Sequence, residues 1–428
     1  MRTTFHIDVQ DISNFKRQLL SWSAQFRECL FLDSCGFSQN YSQYDAVIAV
    51  DAFTLLQTDY HNAFEDLKQY QQTTKDWLFG YLSYDLKNDT EELKSQNFDG
   101  LQFPDMLFFQ PKKLFLIKEN RVEVQYLFIC DDEYVSDLRE IESIAVDISE
   151  KTSGLDMIPR ISKESYMEKI AKMLEHIHLG DIYEANFCME YYAEDAIIEP
   201  VKTFTDLKQI SEPPFAAFMR INKNYLMCAS PERYLMKQGS KIISQPIKGT
   251  ARRSSNSSED EQIKTELLNS DKERSENIMI VDLVRNDLSR TASKGSVNVE
   301  ELCGAYSFKQ VHHLISTVSS DLKDGFSAID VLKTTFPMGS MTGAPKISAM
   351  QIIEKLEETK RGLYSGSVGY FTPDGDFDLN VVIRSILYNE AEKYVSFSVG
   401  SAITAASVPE NEYAECLLKA KAMLQVLQ

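Results

Sequence analysis

The 428-residue chain has no apolar run that approaches the roughly 18 consecutive residues a membrane-spanning helix needs. Its first ten residues, Met1–Gln10, mix charged and apolar side chains and lack the long apolar stretch of a secretory signal peptide. These two absences disfavour membrane-spanning and secreted proteins. We therefore expect a cytoplasmic chain.

Cysteine is sparse and irregularly placed. The chain has seven cysteines, an odd number, and no two of them are spaced as Cys-x-x-Cys. This pattern argues against a disulfide framework and against a zinc site. We expect buried free thiols in a reducing compartment.

The chain has fewer basic than acidic residues. Lys plus Arg number 45 and Asp plus Glu number 64, which gives a formal net charge of −19. Such a chain repels both a phosphate backbone and an anionic membrane surface, so we expect neither a nucleic-acid nor a membrane partner. A small anionic substrate is not excluded, because a local pocket or a bound cation can reverse the sign of the charge where the substrate binds.

A largely polar segment over Ile148–Pro159, with Gly154 inside it, divides the chain and is predicted to be a linker. The predicted parts are an N-terminal half over residues 1–155 and a larger part over residues 156–428. Alternating helix and strand patterns favour a mixed α/β (α+β) fold with sizeable sheets.

Apolar residues recur at gaps of three and four over Lys163–Leu179, which predicts an amphipathic helix that Gly180 ends. A closing helix is predicted over Pro409–Leu427, with a capping box at Ser407–Glu410. The predicted strands include Ala46–Val50, Met106–Ile117, Leu363–Phe371, Val381–Tyr388 and Tyr394–Ile403.

Two pairs of glutamates are candidate functional residues. Glu273 and Glu276 stand three residues apart in a helix-forming stretch, and Glu412 and Glu415 repeat this spacing on the closing helix, one turn before Lys419. Side chains three residues apart face one side of a helix, so two such pairs could together hold a hard cation such as Mg²⁺. On these residues alone, a solvated helix surface is the more common environment for glutamate.

Lys248 stands between Ile247 and Gly249 in a predicted turn over Gln245–Thr250. Partial burial there would disfavour the ammonium form and keep the amine partly neutral near pH 7, as a nucleophile requires. On these residues alone, a solvated turn lysine is the better interpretation.

Several motifs of residues 160–428 together resemble those of the chorismate-utilising enzymes. This family comprises the anthranilate synthase large subunit, aminodeoxychorismate synthase component I, isochorismate synthase and salicylate synthase. The motifs stand in family order, which makes a chance agreement negligible. They are Ser230–Arg233, Pro246–Thr250, Ser275–Leu283 with Arg285–Asp287, Gly339–Lys346, Leu363–Gly366, Arg384, Val399–Ala402, and Glu412, Glu415 and Lys419.

The resemblance implies large antiparallel sheets packed as a β-sandwich and flanked by helices, as in the anthranilate synthase large subunit. It assigns residues 156–428 to a chorismate-binding catalytic core. It also implies that Glu276 and Glu415 coordinate Mg²⁺, with Glu273 and Glu412 holding the water ligands of the metal. The cation would bind the ring carboxylate, which explains how an acidic protein binds a dianion.

The same resemblance assigns the remaining site residues. Glu232 would be the general acid that protonates the departing C4 hydroxyl, and His313 would lie beside that hydroxyl. Arg384 and Tyr364 would hold the enolpyruvyl carboxylate together with the backbone of Gly400–Ala402. The substrate-binding positions implied in this way are Gly249, Thr250, His313, Thr342, Tyr364, Arg384, Gly400, Ser401, Ala402 and Lys419.

Two positions discriminate among family members. Relatives that add water carry a lysine base at the position of Glu184, where ammonia-using relatives more often have glutamine, so water addition is disfavoured. The glutamate itself has no assigned role. Anthranilate synthases carry alanine at the position of Lys248, whereas lysine is the mark of aminodeoxychorismate synthase component I.

The resemblance therefore implies a double displacement that converts chorismate and ammonia to 4-amino-4-deoxychorismate. Lys248 would attack C2 as the C4 hydroxyl departs, and ammonia would then attack C4 and expel the lysine. No glutamine amidotransferase motif is visible, so we expect a separate glutaminase subunit. The alternatives are anthranilate synthase component I, and a homologue that binds chorismate without turnover, against which the intact Glu232, Lys248, Glu276 and Glu415 argue.

The N-terminal half resembles the family at two short segments. Leu32–Cys35 is similar to a leucine–glutamate–serine segment that forms a tryptophan pocket in some members, and Trp77–Asp85 is similar to another N-terminal motif. Asp33 replaces the glutamate, and a Ser34 that only packs a turn explains the first segment equally well.

Overall fold

The computed structural model describes residues 1–37, 41–145, 154–309 and 311–428. Within these ranges the strands are β1 (Arg2–Asp8), β2 (Glu28–Asp33), β3 (Ala46–Thr58), β4 (Leu78–Leu82), β5 (Met106–Lys118), β6 (Arg121–Leu127), β7 (Ile158–Pro159), β8 (Glu184–Ala193), β9 (Phe215–Ile221), β10 (Asn224–Ser230), β11 (Arg233–Gln238), β12 (Lys241–Gln245), β13 (Ile247–Arg252), β14 (Asn298–Ser307), β15 (Val311–Asp321), β16 (Gly343–Ala344), β17 (Ser367–Phe371), β18 (Phe377–Asn380), β19 (Ser385–Asn389) and β20 (Tyr394–Thr404). The helices are α1 (Ile12–Ser23), α2 (Ala63–Thr74), α3 (Lys87–Thr90), α4 (Tyr134–Ser143), α5 (Lys163–Leu179), α6 (Pro200–Ser211), α7 (Ser257–Asn269), α8 (Asp271–Ser289), α9 (Ala328–Thr335), α10 (Lys346–Leu356) and α11 (Pro409–Leu427).

The strands form two antiparallel sheets that share the long strands β3 and β5. The first sheet has the order β1-β6-β5-β3-β2-β9-β10-β19-β20-β8. The second begins at the other end of β5 and has the order β5-β4-β17-β18-β11-β12-β15, with β13 continuing the edge of β12 and β14 on the far side of β15. A register shift between Ala52 and Thr54 in the β3–β5 ladder marks where the two sheets separate.

The two cores follow from the alternation of side chains along the strands. Leu30 on β2 packs in a cluster with residues of both sheets, such as Phe79 and Leu379. Its neighbours Cys29 and Phe31 point to the opposite face and pack in a second cluster with the side chains of α1, α5, α6 and α11. The sequence prediction of large antiparallel sheets packed together and flanked by helices is therefore confirmed.

Both predicted helices are confirmed, although the start of the second differs from the prediction. Helix α5 spans Lys163–Leu179, and Gly180 ends it in the left-handed conformation at φ 84°. Helix α11 spans Pro409–Leu427, but its N-cap is Val408, which makes no side-chain cap. The predicted capping box is wrong because the Ser407 hydroxyl instead accepts a hydrogen bond from the backbone N–H of Thr404.

Two predicted strands are shorter than expected. The strand predicted over Leu363–Phe371 begins only at Ser367, and the strand predicted over Val381–Tyr388 begins only at Ser385. In each case a residue with positive φ interrupts the extended backbone just before the strand: Ser365 at 62° and Arg384 at 54°. The interruptions matter for function, because they coincide with two of the motifs.

The predicted linker lies partly outside the described residues, which omit 146–153. Its end, Ile158–Pro159, forms the short strand β7 beside β8. Strands from both sides of the predicted boundary pair with each other, as β2 does with β9 and β4 with β17. The boundary at residue 155 stays a prediction.

The seven cysteines are free, and all except the half-buried Cys35 are buried. This arrangement agrees with the expected free thiols. None of the helices in the described ranges is long and apolar enough to cross a membrane.

Candidate active site

A cavity of about 490 Å³ opens between helices α8 and α11 and strands β13 and β20. Every residue that lines it belongs to the part of the chain after residue 156. The cavity gathers most of the residues that the sequence motifs assign to the site. These are Glu232, Lys248, Gly249, Thr250, Glu273, Glu276, His313, Tyr364, Arg384, Gly400, Ala402, Glu412, Glu415 and Lys419.

Thr342 and Ser401 do not line this cavity, so their assignment to substrate binding stays a prediction. Thr342 is fully buried, and its hydroxyl donates to the carbonyl oxygens of Met338 and Gly339 at 3.2 and 3.3 Å. Ser401 is also fully buried, and its hydroxyl lies 3.1 Å from that of Tyr166 on α5.

Other lining residues were missed by the sequence analysis. Ser340 and Met341 line the cavity in place of Thr342, although all three belong to the Gly339–Lys346 motif. Asn186 on β8 also lines it and donates to the carbonyl of Ser340 at 3.1 Å. The signal for Ser340 and Met341 was the motif itself, but a motif does not show which of its side chains face the cavity.

Lys248 lies in strand β13 and not in the predicted turn. Gly249 adopts φ 86°, and the β13–β15 ladder shifts register between Lys248 and Thr250. A Cβ atom at Gly249 would lie 3.1 Å from the side chain of Leu314 and 3.2 Å from a carboxylate oxygen of Glu273. Glycine is therefore favoured at this bulge both by its backbone conformation and by the close neighbours.

The ammonium of Lys248 is paired with Glu184. Its Nζ lies 2.5 Å from Oε1 of Glu184, and the two side chains are 9% and 1% exposed. Burial alone would lower the pKa of Lys248, but the charge and hydrogen bond of Glu184 outweigh it and raise that pKa above its usual value. The expected partly neutral amine is therefore wrong for the substrate-free protein, because the sequence did not reveal the carboxylate partner.

Glu232 is suited to donate a proton near neutral pH. It lines the cavity but is buried, and burial raises the pKa of its carboxyl from 4.5 to about 7. Hydrogen bonds from the Ser340 hydroxyl and the backbone of Ile247 oppose this shift only in part. A general acid works best when its pKa is close to the working pH.

His313 offers a hydrogen-bond acceptor to the cavity. Its Nδ1 lies 2.9 Å from the hydroxyl of Thr250 and 3.4 Å from the carbonyl of Gly249. A carbonyl can only accept, which places the proton on Nδ1 and leaves Nε2 as an acceptor. Nε2 is buried and has no hydrogen-bond partner among the described residues. Burial, with the nearby charge of Arg384, lowers the pKa of His313 to about 3, so the ring is neutral at physiological pH.

Four carboxylates face the cavity from two helices, Glu273 and Glu276 from α8 and Glu412 and Glu415 from α11. Burial raises the pKa of Glu276 to about 7, and the charge of Glu273 adds to that effect. Burial likewise raises the pKa values of Glu273 and Glu412. The raised values show that the negative charge here is incompletely compensated, which is what a cation site requires.

These carboxylates fit a hard cation in their chemistry, since Mg²⁺ prefers oxygen ligands. Among the residues that the structure describes, no three acidic, histidine or cysteine side chains are gathered closely enough to form a ligand set as they stand. The four glutamates thus provide the donors without being drawn together around one point.

Several cations also line the wall, and Lys419 and Arg384 are two of them. Lys419 lies 2.7 Å from the carboxylate of Glu415 and donates to the carbonyl of Gly400 at 2.7 Å. Burial would raise the pKa of Glu415, but the charge of Lys419 outweighs it and the pKa is lowered. Desolvation lowers the pKa of Arg384, yet a guanidinium remains charged at any ordinary pH. The cavity wall therefore combines acidic and basic side chains.

A second, much smaller cavity of about 60 Å³ lies beside Leu32, Asp33 and Ser34. The Asp33 carboxylate pairs with Lys16 at 2.9 Å and with Lys208 at 2.8 Å. Tryptophan binding at this segment stays a prediction.

Comparisons with known proteins find similar sequences and a similar fold. The chain is 31% identical over 392 residues to aminodeoxychorismate synthase component 1 of Bacillus subtilis (strain 168), covering 88% of this chain and 80% of the relative. It is 33% identical over 365 residues to anthranilate synthase component 1 of Thermus thermophilus, covering 82% and 77%. The crystal structure of anthranilate synthase component I from Streptococcus pneumoniae TIGR4 shares the fold, with a TM-score of 0.80 at 24% identity over 91% of this chain and 93% of the other.

The family comparison covers almost the whole chain. The description of the matching family is chorismate binding enzyme, and the match extends over residues 27–425. It includes every residue that lines the larger cavity. The chain therefore belongs to the chorismate-binding enzymes.

Proposed function

We propose that the chain is component I of an aminodeoxychorismate synthase, which converts chorismate and ammonia to 4-amino-4-deoxychorismate. The observation that carries the proposal is the presence of Lys248 in the cavity wall, together with the buried Glu232, whose pKa is raised to about 7. A lysine at this position supplies a nucleophile that the anthranilate synthases of the family lack. Relatives named anthranilate synthase also match, but more of the named relatives are aminodeoxychorismate synthases, which favours this product.

The proposed reaction uses the two groups in turn. The amine of Lys248 attacks C2 of chorismate, and the hydroxyl leaves C4 as Glu232 gives it a proton. His313 accepts a hydrogen bond from the hydroxyl through Nε2 and so holds it for protonation. Ammonia then attacks C4 and displaces the lysine from C2.

Charged residues of the cavity wall bind the two carboxylates of chorismate. Arg384 and Tyr364 hold the enolpyruvyl carboxylate, and Lys419 lies on the side of the ring carboxylate. Glu276 and Glu415 would hold Mg²⁺, with Glu273 and Glu412 around them. When bound, the cation would neutralise the ring carboxylate and the surrounding glutamates.

Ammonia is proposed to come from a separate glutaminase subunit. The relatives named component 1 imply a second component, and that name is the support for this partner. The proposed location of the enzyme is the cytoplasm, in keeping with its free cysteines.

Product identification tests the function. Purified protein is incubated with chorismate, an ammonium salt and Mg²⁺, and the products are separated and identified by mass spectrometry. We expect 4-amino-4-deoxychorismate. Anthranilate as the main product would identify the chain as an anthranilate synthase instead. Unchanged chorismate would favour a protein that binds chorismate without turnover.

A further inference from the structure

We propose that Glu184 is a positioning residue for Lys248, which keeps the lysine protonated at rest and takes up that proton when the amine attacks the substrate. The inference rests on the proposed function, in which Lys248 is the nucleophile. It assigns a role to a residue that the sequence motifs leave unexplained.

The placement of Glu184 fits this role. It is the first residue of β8 and is paired with Ala344 of β16 on one side and with Thr404 of β20 on the other. These ladders fix its backbone, and its side chain is 1% exposed. Lys248 lines the cavity, but Glu184 does not. A substrate in the cavity can therefore contact Lys248 but not Glu184, so Glu184 acts on the reaction only through the lysine.

The pairing of the carboxylate is incomplete. Oε1 lies 2.5 Å from Nζ of Lys248, whereas Oε2 is buried and finds no hydrogen-bond partner among the described residues. The lone pairs of Oε2 are therefore not engaged by any donor among these residues. A purely structural ion pair would gain from hydrogen-bond partners on both carboxylate oxygens. The geometry therefore favours a role for Glu184 as proton acceptor over a purely structural role.

The charges around Lys248 explain why the resting amine needs an acceptor. Several acidic groups face it and favour the ammonium form, while Glu184 is the only described carboxylate that forms an ion pair with it. An ammonium has no free electron pair, so it cannot attack carbon. The titratable groups on the elements around Lys248 are Glu184 of β8, Glu232 before β11, Glu273 and Glu276 of α8, His313 of β15, and Glu415 and Lys419 of α11, with Arg384 nearby.

The proton and electron pairs balance through the two steps. An Nζ–H bond of Lys248 breaks and an O–H bond forms on Glu184, and the freed electron pair makes the bond to C2. The C4–O bond breaks, and the hydroxyl leaves as water with the proton of Glu232. When ammonia bonds to C4, Nζ leaves C2 with its electron pair and regains the proton of Glu184. The ammonium formed at C4 returns a proton to Glu232.

Trace acetylation of the substrate-free protein tests the resting state. Full-length protein is treated with limiting acetic anhydride at pH 7.5, and peptide mass spectrometry compares Lys248 with the exposed Lys294 as an internal reference. We expect Glu184→Gln to raise the relative labelling of Lys248 at least tenfold, because burial then acts on the amine without an anionic partner. Glu184→Asp keeps the charge and should stay within about threefold of the parent.

A matched control is available on the same strand. Glu190 is buried on β8 and pairs with Arg160 at 3.1 Å, so Glu190→Gln makes the same substitution beside a different cation. It should leave the labelling of Lys248 unchanged. Labelling of Glu184→Gln within twofold of the parent, or equal labelling of the Asp and Gln variants, would overturn the proposal.

Uptake of the proton has its own readout. The rate of Lys248 adduct formation with chorismate is measured against pH. The acid limb of this profile should move to lower pH by a unit or more in Glu184→Gln and stay in place in Glu184→Asp. An acid limb that stays in place in Glu184→Gln contradicts proton uptake by Glu184.

A measurement on the parent protein keeps the test independent of variant folding. The labelling of Lys248 is followed against pH, and its midpoint should lie above that of Lys294. A midpoint below that of Lys294 contradicts the proposal even if Glu184→Gln does not fold. The labelling needs no turnover, so its outcome is separate from that of product identification, on which the proposed function depends.

Discussion

Gly400 and Ser401 are neighbours on β20 but face opposite sides of the sheet. Gly400 lines the cavity, whereas the hydroxyl of Ser401 lies 3.1 Å from that of Tyr166 in the core beneath α5. Strand geometry requires this alternation, since successive side chains point to opposite faces. One motif therefore supplies both a cavity wall and a core contact.

Gly400→Ala should damage both stability and substrate binding. The added Cβ would lie 2.6 Å from Sγ of Cys188 and 2.7 Å from the carbonyl oxygen of Phe187, and the backbone atom cannot move without shifting the ladder. We expect a loss of about 1–3 kcal/mol in the free energy of unfolding, and a clear rise in KM for chorismate. Urea unfolding and steady-state kinetics measure the two effects.

The neighbouring substitution Ser401→Ala is the control for Gly400→Ala. It removes the buried hydroxyl that lies 3.1 Å from that of Tyr166 and should lower the free energy of unfolding by about 1 kcal/mol. Because the side chain faces away from the cavity, KM should change by less than about threefold. A larger rise in KM for Ser401→Ala than for Gly400→Ala would contradict the assigned orientations.

Lys248→Ala should remove the covalent intermediate. We expect the formation of 4-amino-4-deoxychorismate to fall by about a thousandfold or more, because the alternative is direct displacement at C4 without the lysine. Ammonia can then add at C2 and give an anthranilate-type product. Intact-protein mass spectrometry after brief mixing with chorismate, with peptide mapping, measures the adduct.

The control for Lys248→Ala is Lys294→Ala, which removes an exposed lysine outside the cavity and should keep the adduct and the parental rate. If Lys248→Ala still makes 4-amino-4-deoxychorismate at the parental rate, the lysine is not the nucleophile.

The long helices and the strand β20 could be predicted from the sequence because their periodicity is regular. Helix α5 has the predicted bounds, since its apolar spacing, its Ser162 N-cap and its Gly180 end all agree. The predicted bounds of the strands near Tyr364 and Arg384 were too long, because the positive φ of Ser365 and Arg384 leaves no mark in the apolar pattern of the sequence.

Most of the motif residues line one cavity, but the motifs did not show how their side chains are paired. Glu184 and Lys248 are 64 residues apart and meet only because the sheets bring β8 and β13 together. Thr342 belongs to a motif yet turns into the core, while Ser340 beside it lines the cavity. Such choices depend on the register of strands and turns, which a single sequence does not determine.

Glu276→Gln and Glu415→Gln should each lower kcat by about a hundredfold or more, since either change removes a carboxylate proposed to hold Mg²⁺. Chelation of divalent cations should abolish the activity of the parent protein, and added Mg²⁺ should restore it. Steady-state kinetics at a series of Mg²⁺ concentrations measures both effects.

The control for these variants is Glu410→Gln, because Glu410 is exposed on the first turn of α11 and does not line the cavity. It should keep the parental kcat and the parental response to Mg²⁺. Full activity of the parent in excess chelator would remove the basis for the metal assignment.

Glu232 should make the stability of the protein depend on pH. Burial raises the pKa of its carboxyl from 4.5 to about 7, so between these values the folded protein holds a proton that the unfolded chain releases. Stability therefore falls as the pH rises through this window. Glu232→Gln cannot ionise, so its stability relative to the parent should increase by about 2–3 kcal/mol from pH 5 to pH 8.

The same carboxyl should control the rate. In the parent protein, kcat/KM should fall as the pH rises above about 7, because the general acid loses its proton. Urea unfolding of the parent and of Glu232→Gln at pH 5 and pH 8 measures the stability effect. Glu410→Gln, at an exposed position, is the control, and its free energy of unfolding should change with pH as that of the parent does. If the curves of the parent and Glu232→Gln are parallel, Glu232 is ionised in the folded protein at pH 5 and cannot be the proton donor at neutral pH.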